Sequence, residues 1–401
     1  MRKPKHREPV PINKIEVPIR HFNLRVILLA IAIAIAAVAI GFGIYYALHK
    51  EPGWRTVEVT AGQMNCSSEF ILTYEFGTSG NATTEYKQVA AVYTQAAIEG
   101  YRLFNTEAEN SELARVKPNE AVKIDPALYR AFEQIQKNGS RSVYLAPVYV
   151  EYQRVFSAED AVSAQLYDPN MNKDAGEYVA ELTALLNDPE MINLELLGDN
   201  TVKLFVHKDL LAYAQKNQIT EFLDFGWMRN AFVIDYLAQK LIDGGFTKGY
   251  IASYDGFTRN LYQGAQSYSL NLFNRVGNDV YIPGVMDYQG PMSLVFLRNY
   301  PLSNADRWHY YAYDSGPITT AMVDPADGMS KSAINNLVVY GKDKGCADLL
   351  LEAAPVFVTE EFQSKPLQDL AKQKIYCVWF EEGEMVSTDT NVSVRAAEQT
   401  E

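Results

Sequence analysis

The chain has 401 residues, 48% of them hydrophobic and 21% charged, with 36 Lys and Arg against 49 Asp and Glu and a net charge of −13. Removing the eight basic and two acidic residues up to Lys50 leaves 28 against 47, a charge of −19 on the remainder. So acidic a domain repels nucleic-acid phosphates and argues against a nucleic-acid partner, and it needs a bound cation to handle a phosphorylated ligand.

Three cysteines, Cys66, Cys346 and Cys377, with no C-x-x-C pair among them, rule out a disulfide framework and a zinc ribbon and leave room for at most one bridge. Residues 1–25 read as a basic, Pro-punctuated cytoplasmic tail. From Val26 to Leu48 (VILLAIAIAIAAVAIGFGIYYAL) there is no charged side chain. About 23 residues at 1.5 Å each cross about 30 Å of hydrocarbon, so 26–48 is predicted to be a transmembrane helix. Arg2, Lys3, Lys5, Arg7, Lys14, Arg20 and Arg25 precede it against Glu8 and Glu16. The positive-inside rule then keeps the N-terminus in the cytoplasm and exports the rest, a single-pass protein of the cell membrane. A cleaved signal peptide is the rival reading, but its apolar region is shorter and ends in small residues, which YALHKEPGW does not offer.

After a spacer at 49–64, the exported domain is expected at 65–386. It opens with a strand at Phe70–Phe76. A helix follows at Glu85–Phe104, capped by Thr83 or Thr84. Pro126–Lys137 forms another helix, ended by Asn138-Gly139. The Tyr-rich SVYLAPVYVEYQRVF comes next, then a helix at Glu177–Leu186. Ile192–Phe205 reads as a hairpin turning at Gly198-Asp199-Asn200. Arg229–Asp243 has apolar residues at helical spacing and stops at Gly244-Gly245. Tyr250–Tyr254 is a strand that breaks at Asp255-Gly256. Strands and turns fill about 268–320, and MVDPADG forms a loop at 322–328. Strand Leu337–Tyr340 leads to a helix at Cys346–Ala354, stopped by Pro355. A last strand, Ile375–Phe380, precedes a polar tail, 387–401, expected to be unstructured. Strands and helices interleave without a βα rhythm, so the fold class is α+β.

The catalytic signatures H-E-x-x-H, G-x-S-x-G, G-x-x-x-x-G-K-[ST] and G-x-G-x-x-G are all absent. His207 and His309 each read as structural histidines. What remains is a set of aspartates at element edges: Asp235, Asp255, Asp324 and Asp348. Asp348 and Glu352 are four apart on one helix face, a spacing that suits a hard cation such as Mg2+. The plainer alternative pairs Asp348 with Lys344 on a solvated face.

Taken in order, these segments resemble the ApbE-type flavin transferases (FAD:protein FMN transferases). LDFGWMRNAFVIDYLAQKLIDGGFTKGYIASYDGF, residues 223–257, is similar to that family's Asp-Leu-Gly-Gly-Ile-Ala-Lys-Gly-Tyr-Ala-Val-Asp pattern with its following helix, Gly pair and strand; Asp224, Gly226 and Asp235 match. NSELARV resembles Ser-Glu-Leu-x-x-Leu-Asn, LAPVYVEYQRVF resembles Gly-Pro-Leu-x-x-x-Trp, MVDPADG resembles Ile-Asp-Pro-x-Thr-Gly, and CADLLLEAA resembles Ala-Asp-Ala-x-x-Thr-Ala. The resemblance implies one flavin-transferase-type domain that binds FAD and Mg2+ and transfers FMN to a threonine of an acceptor flavoprotein, releasing AMP. It implies a cofactor site at Met64, Asn230, Asp235, Tyr254 and Asp255, a metal site at Asp348 and Glu352, and Asp324 and Asp255 as catalytic candidates. The chain departs from the pattern at Asn230-Ala231 (Lys-Gly in the family), Ser253-Tyr254 (Gly-Gly), Thr320-Ala321 (Ser-His) and Glu352 (Thr). A catalytically inactive flavin-binding or envelope interaction module on the same fold is therefore the alternative.

Overall fold

The computed structural model describes residues 52–59, 64–78, 80–262, 264 and 266–397, with isolated helical positions at 32, 36, 38 and 40. Among these, no helix is long and apolar enough to cross a membrane; the basic tail and, apart from those four positions, the predicted span at 26–48 lie outside them. The chain divides into two units between Glu51 and Pro52.

In the unit that begins at Pro52, the strands in chain order are β1 (Gly53–Val57), β2 (Phe70–Phe76), β3 (Ala121–Lys123), β4 (Ile192–Gly198), β5 (Thr201–Val206), β6 (Gly249–Ser253), β7 (Phe257–Asn260), β8 (Ser267–Val276), β9 (Asp279–Gln289), β10 (Met292–Arg298), β11 (Tyr310–Ala312), β12 (Ile318–Thr320), β13 (Asn336–Gly341), β14 (Tyr376–Glu381), β15 (Glu384–Ser387) and β16 (Ser393–Ala396). The helices are α1 (Ala82–Phe104), α2 (Pro126–Asn138), α3 (Ala146–Phe156), α4 (Ala161–Tyr167), α5 (Lys173–Asn187), α6 (Lys208–Lys216), α7 (Arg229–Asp243), α8 (Cys346–Phe357) and α9 (Ser364–Ala371). The main sheet runs β1-β2-β6-β7-β10-β13-β14-β15, with smaller sheets β16-β9-β8, β3-β5-β4 and β11-β12. The ladders between these strands are antiparallel, as an α+β fold requires.

Alternation along β10 shows how the core is divided. Successive side chains of a strand face opposite ways. Val295 and Leu297 join the larger core, which includes Ile234 and Leu237 of α7 and Leu349 and Leu350 of α8. Leu294 and Phe296 face the other way and pack with Leu272 of β8 and Met286 of β9. The main sheet is thus covered by helices on one face and by the small β8–β9–β16 sheet on the other. In α7, Phe232, Ile234, Leu237 and Leu241 are all buried, each contributing about 1.5–3 kcal/mol of transfer free energy. That burial fixes the helix and so fixes Arg229 and Asn230 at its start.

Several expectations need correction. The first long helix begins at Ala82, and its cap is Asn81, whose side chain accepts the Thr84 N–H at 3.1 Å; neither Thr83 nor Thr84 is the cap. α8 runs through Pro355 to Phe357. A proline in the last turn forgoes one backbone bond, and burial of Val356 and Phe357 offsets that loss. The spacer at 49–64 contains β1, an edge strand of the main sheet. The polar tail contributes β16, which pairs with β9 and is tied by Arg395 to Asp287 at 3.0 Å. Among the described residues, no disulfide joins Cys66, Cys346 or Cys377.

Candidate functional site

The start of α7 meets the turn before β2 and the turn after β6, and the three segments build a part-buried polar cluster. Arg229 donates to both oxygens of Glu69, at 2.9 and 3.1 Å. The Asn230 amide nitrogen donates to Glu69 at 2.6 Å and to Asp255 at 2.9 Å, bridging two carboxylates. Asn230 Oδ1 and Asp255 Oδ1 are buried and have no partner. Burial pushes the Asp255 carboxyl up, against the opposing pull of His309. Burial would raise Glu69 as well, but Arg229, Asn230 and His309 together hold it below the usual carboxylate range.

His309 thus lies within electrostatic reach of both carboxylates. It lies just before β11, and its carbonyl accepts the Ala321 N–H at 2.8 Å. With Trp308 and Ala321 it lines a cavity of about 680 Å3 bordered by α3 and the 217–221 loop. The charged groups on that wall are mostly acidic: Glu69, Glu107, Glu151, Glu221 and Asp224 face Arg154 and Arg229. Both arginines are already paired, Arg154 with Glu151 at 2.9 Å and Arg229 with Glu69. A phosphate placed here would meet no spare cation from this wall.

A second cavity, of about 460 Å3, lies beside α8, lined by Leu351, Ala354 and Pro355 together with Arg141, Trp227 and Asp324. Arg141 donates to the carbonyls of Leu186 and Ile192 at 2.8 and 2.9 Å, lies over the Tyr144 ring at 4.3 Å, and its buried Nε has no partner. Apolar walls with a few convergent polar groups suit a planar heterocycle.

The residues singled out in the sequence fall into separate places. Asn230 and Asp255 come together in the polar cluster. Tyr254 stands next to them but is 51% exposed, and its carbonyl accepts from Arg298 at 3.2 Å. Asp324 lines the other cavity, its carboxylate bound by Lys331 at 3.1 Å and by the Ala326 N–H at 2.8 Å. Asp235 caps α8: it accepts the N–H groups of Cys346 and Ala347, both at 2.9 Å, and pairs with Arg259 at 2.7 Å. A Cβ at Gly345 would overlap this carboxylate. Asp348 accepts from Gln134 at 3.0 Å and from the Gly345 N–H at 3.2 Å, while Glu352 is exposed on the same helix. Met64 opens a short 3-10 turn, Met64–Ser67, and its side chain lies outside the described residues.

The donor set can be tested against Mg2+. Among the described residues, no three His, Cys, Asp or Glu side chains converge on a metal position, and both oxygens of Asp348 hold hydrogen bonds. These residues do not form a cage by themselves. Glu69, Arg229, Trp227 and His309 carry much of the site; the sequence weighs His309 only as a structural histidine, Arg229 and Trp227 have a signal in their place in the 223–257 segment, and Glu69 has none.

No protein-family model matches the chain, and no curated protein matches it in sequence. Its structure is similar to that of an ApbE protein from Thermotoga maritima, with a TM-score of 0.56 and 12% identity over 87% of this chain and 97% of that one. It is also similar to the flavin transferase ApbE from Vibrio cholerae, with a TM-score of 0.53 and 12% identity over 87% and 97% of the two chains. At this identity the likeness shows the fold: the domain has the ApbE-type fold.

Proposed function

We propose that this protein is a membrane-anchored, extracytoplasmic flavin-nucleotide protein that transfers FMN from FAD to a threonine of an acceptor flavoprotein. The observation that supports the reading most is the ApbE-type fold combined with a cleft in which an imidazole stands beside two carboxylates. In the reaction the threonine Oγ attacks the phosphorus on the FMN side of the pyrophosphate. A phosphoester to threonine forms, the bond to the bridging oxygen breaks, AMP leaves, and the hydroxyl proton passes to a base. His309 is assigned as that base, because it lines the cleft with Glu69 and the adjoining void with Asp255. Positioning and electrostatics supply most of such a transfer.

Mg2+, if bound, would neutralise pyrophosphate charge; Asp348 and Glu352, which line neither cavity, are the carboxylates that would hold it, since Mg2+ takes one or two from protein and fills its shell from phosphate and water. The basic N-terminal segment and the apolar stretch at 26–48 support one membrane span with the domain outside.

The pairing of both arginines on the larger cavity favours a second reading, a flavin-binding relative without turnover. Calorimetry and thermal melts of the full-length chain with FAD, with and without Mg2+, test the common premise. Heat and a raised Tm are expected; neither signal in either condition would leave only an interaction domain.

A further inference from the structure

Two cavities flank the turn Gly226–Met228, about 680 Å3 on the α3 side and about 460 Å3 on the α8 side, and among the described residues Trp227 alone lines both. The same side chain borders the small void that contains Asp255 and His309. Trp227 is 8% exposed, yet its buried Nε1 has no acceptor. A buried donor without an acceptor is disfavoured and marks a place where a ligand or water completes the bond.

The backbone beneath the ring is fixed. Gly226 holds a φ of 54°, its N–H donates to Asp224 at 2.7 Å, and the Tyr149 ring occupies the space a Cβ would need there. Movement of the indole therefore falls to side-chain rotation. Each cavity is within the size range of small-ligand sites, and Trp227 is the residue the two linings share. The flavin-transferase pattern has glycine at this position, where no such ring exists.

We infer that Trp227 is a gate that sets ligand size in the cleft. With the indole in place, the cleft takes a flavin mononucleotide; it takes a flavin–adenine dinucleotide only with the indole rotated out. The apparent dinucleotide affinity is then reduced by the fraction of molecules with the gate open. This inference rests on the flavin reading of the cleft given above.

The test titrates FMN and FAD into the full-length wild-type chain, Trp227→Gly and Trp227→Leu, with thermal melts to establish folding. Trp227→Leu keeps apolar packing and carries the test should the glycine variant not fold. FAD is expected to tighten roughly tenfold or more in Trp227→Gly and by a smaller factor in Trp227→Leu, while FMN changes less than about threefold. Equal changes for both flavins, or FAD binding to wild type as tightly as to the variants, overturns the gate and leaves the flavin reading standing. Failure of both flavins to bind any folded form overturns that reading and the gate with it.

Discussion

Ala321 and His309 face each other across the end of the β11–β12 ladder, the Ala321 N–H donating to the His309 carbonyl at 2.8 Å. The flavin-transferase pattern has an imidazole where Ala321 stands, and here His309 sets one on the facing strand end, next to Asp255 and Glu69. His309→Ala is expected to slow AMP release from FAD by about 10²–10⁴-fold, the usual worth of a positioned acid–base group. FAD affinity should change less than about threefold, since the imidazole acts on the acceptor proton. Equal losses in binding and turnover would make His309 a binding residue and remove its role as base.

The two carboxylates beside it carry opposite pH signatures. Asp255 has a folded pKa above its unfolded one because of burial. It therefore opposes folding as pH rises above the unfolded value near about 3.9, and that opposition is absent below it. Glu69 has a lowered folded pKa, because Arg229, Asn230 and His309 outweigh burial. Its contribution is present above the unfolded pKa and is lost as pH falls through the folded one. As pH rises, the Tm of Asp255→Asn relative to wild type should rise above about pH 4, and that of Glu69→Gln should fall below about pH 4.5 and level off above it. Parallel slopes for the two variants would contradict the cluster as described.

Asp235 is expected to hold the fold together more than it holds a ligand. Its carboxylate satisfies two N–H groups at the start of α8 and pairs with Arg259. Leaving such partly buried donors without their acceptor costs about 1–3 kcal/mol. Asp235→Ala should lower the denaturation free energy by about that much, read from urea titration. A loss of flavin binding with unchanged stability would restore Asp235 to the cofactor site.

Much of this architecture can be read from sequence where local chemistry decides it. Arg229–Asp243 follows from apolar residues at helical spacing before a Gly pair, and the hairpin turn follows from Gly198, Asp199 and Asn200, whose φ values are 84°, 48° and 55°. Local signals fail where distant segments decide. Pro355 reads as a stop, yet tertiary burial carries α8 two residues beyond it. β16 is a short segment whose only strand signal is a partner more than a hundred positions away. The role of Trp227 emerges only when segments near 140, 225, 320 and 355 assemble around two cavities, and no spacing rule reports a cavity. The motif aspartates are visible as a set, but only the fold shows that Asp235 and Asp348 cap α8 while Asp255 joins Glu69.

The membrane topology has its own check. Protease added outside intact cells should digest the large domain and leave a short N-terminal fragment protected, as a single span at 26–48 with the basic end inside requires. A shortened product released into the medium would contradict the anchor.

Incubating the full-length chain with FAD, Mg2+ and threonine-bearing flavoproteins from the same organism, with AMP release and acceptor mass followed together, decides whether the chain transfers FMN. AMP should appear with an FMN-sized mass gain on one acceptor, both strongly reduced in His309→Ala and in Asp348→Ala. FAD bound without AMP release or mass gain on any acceptor over long incubation would contradict it, leaving a protein that binds flavin without transferring it.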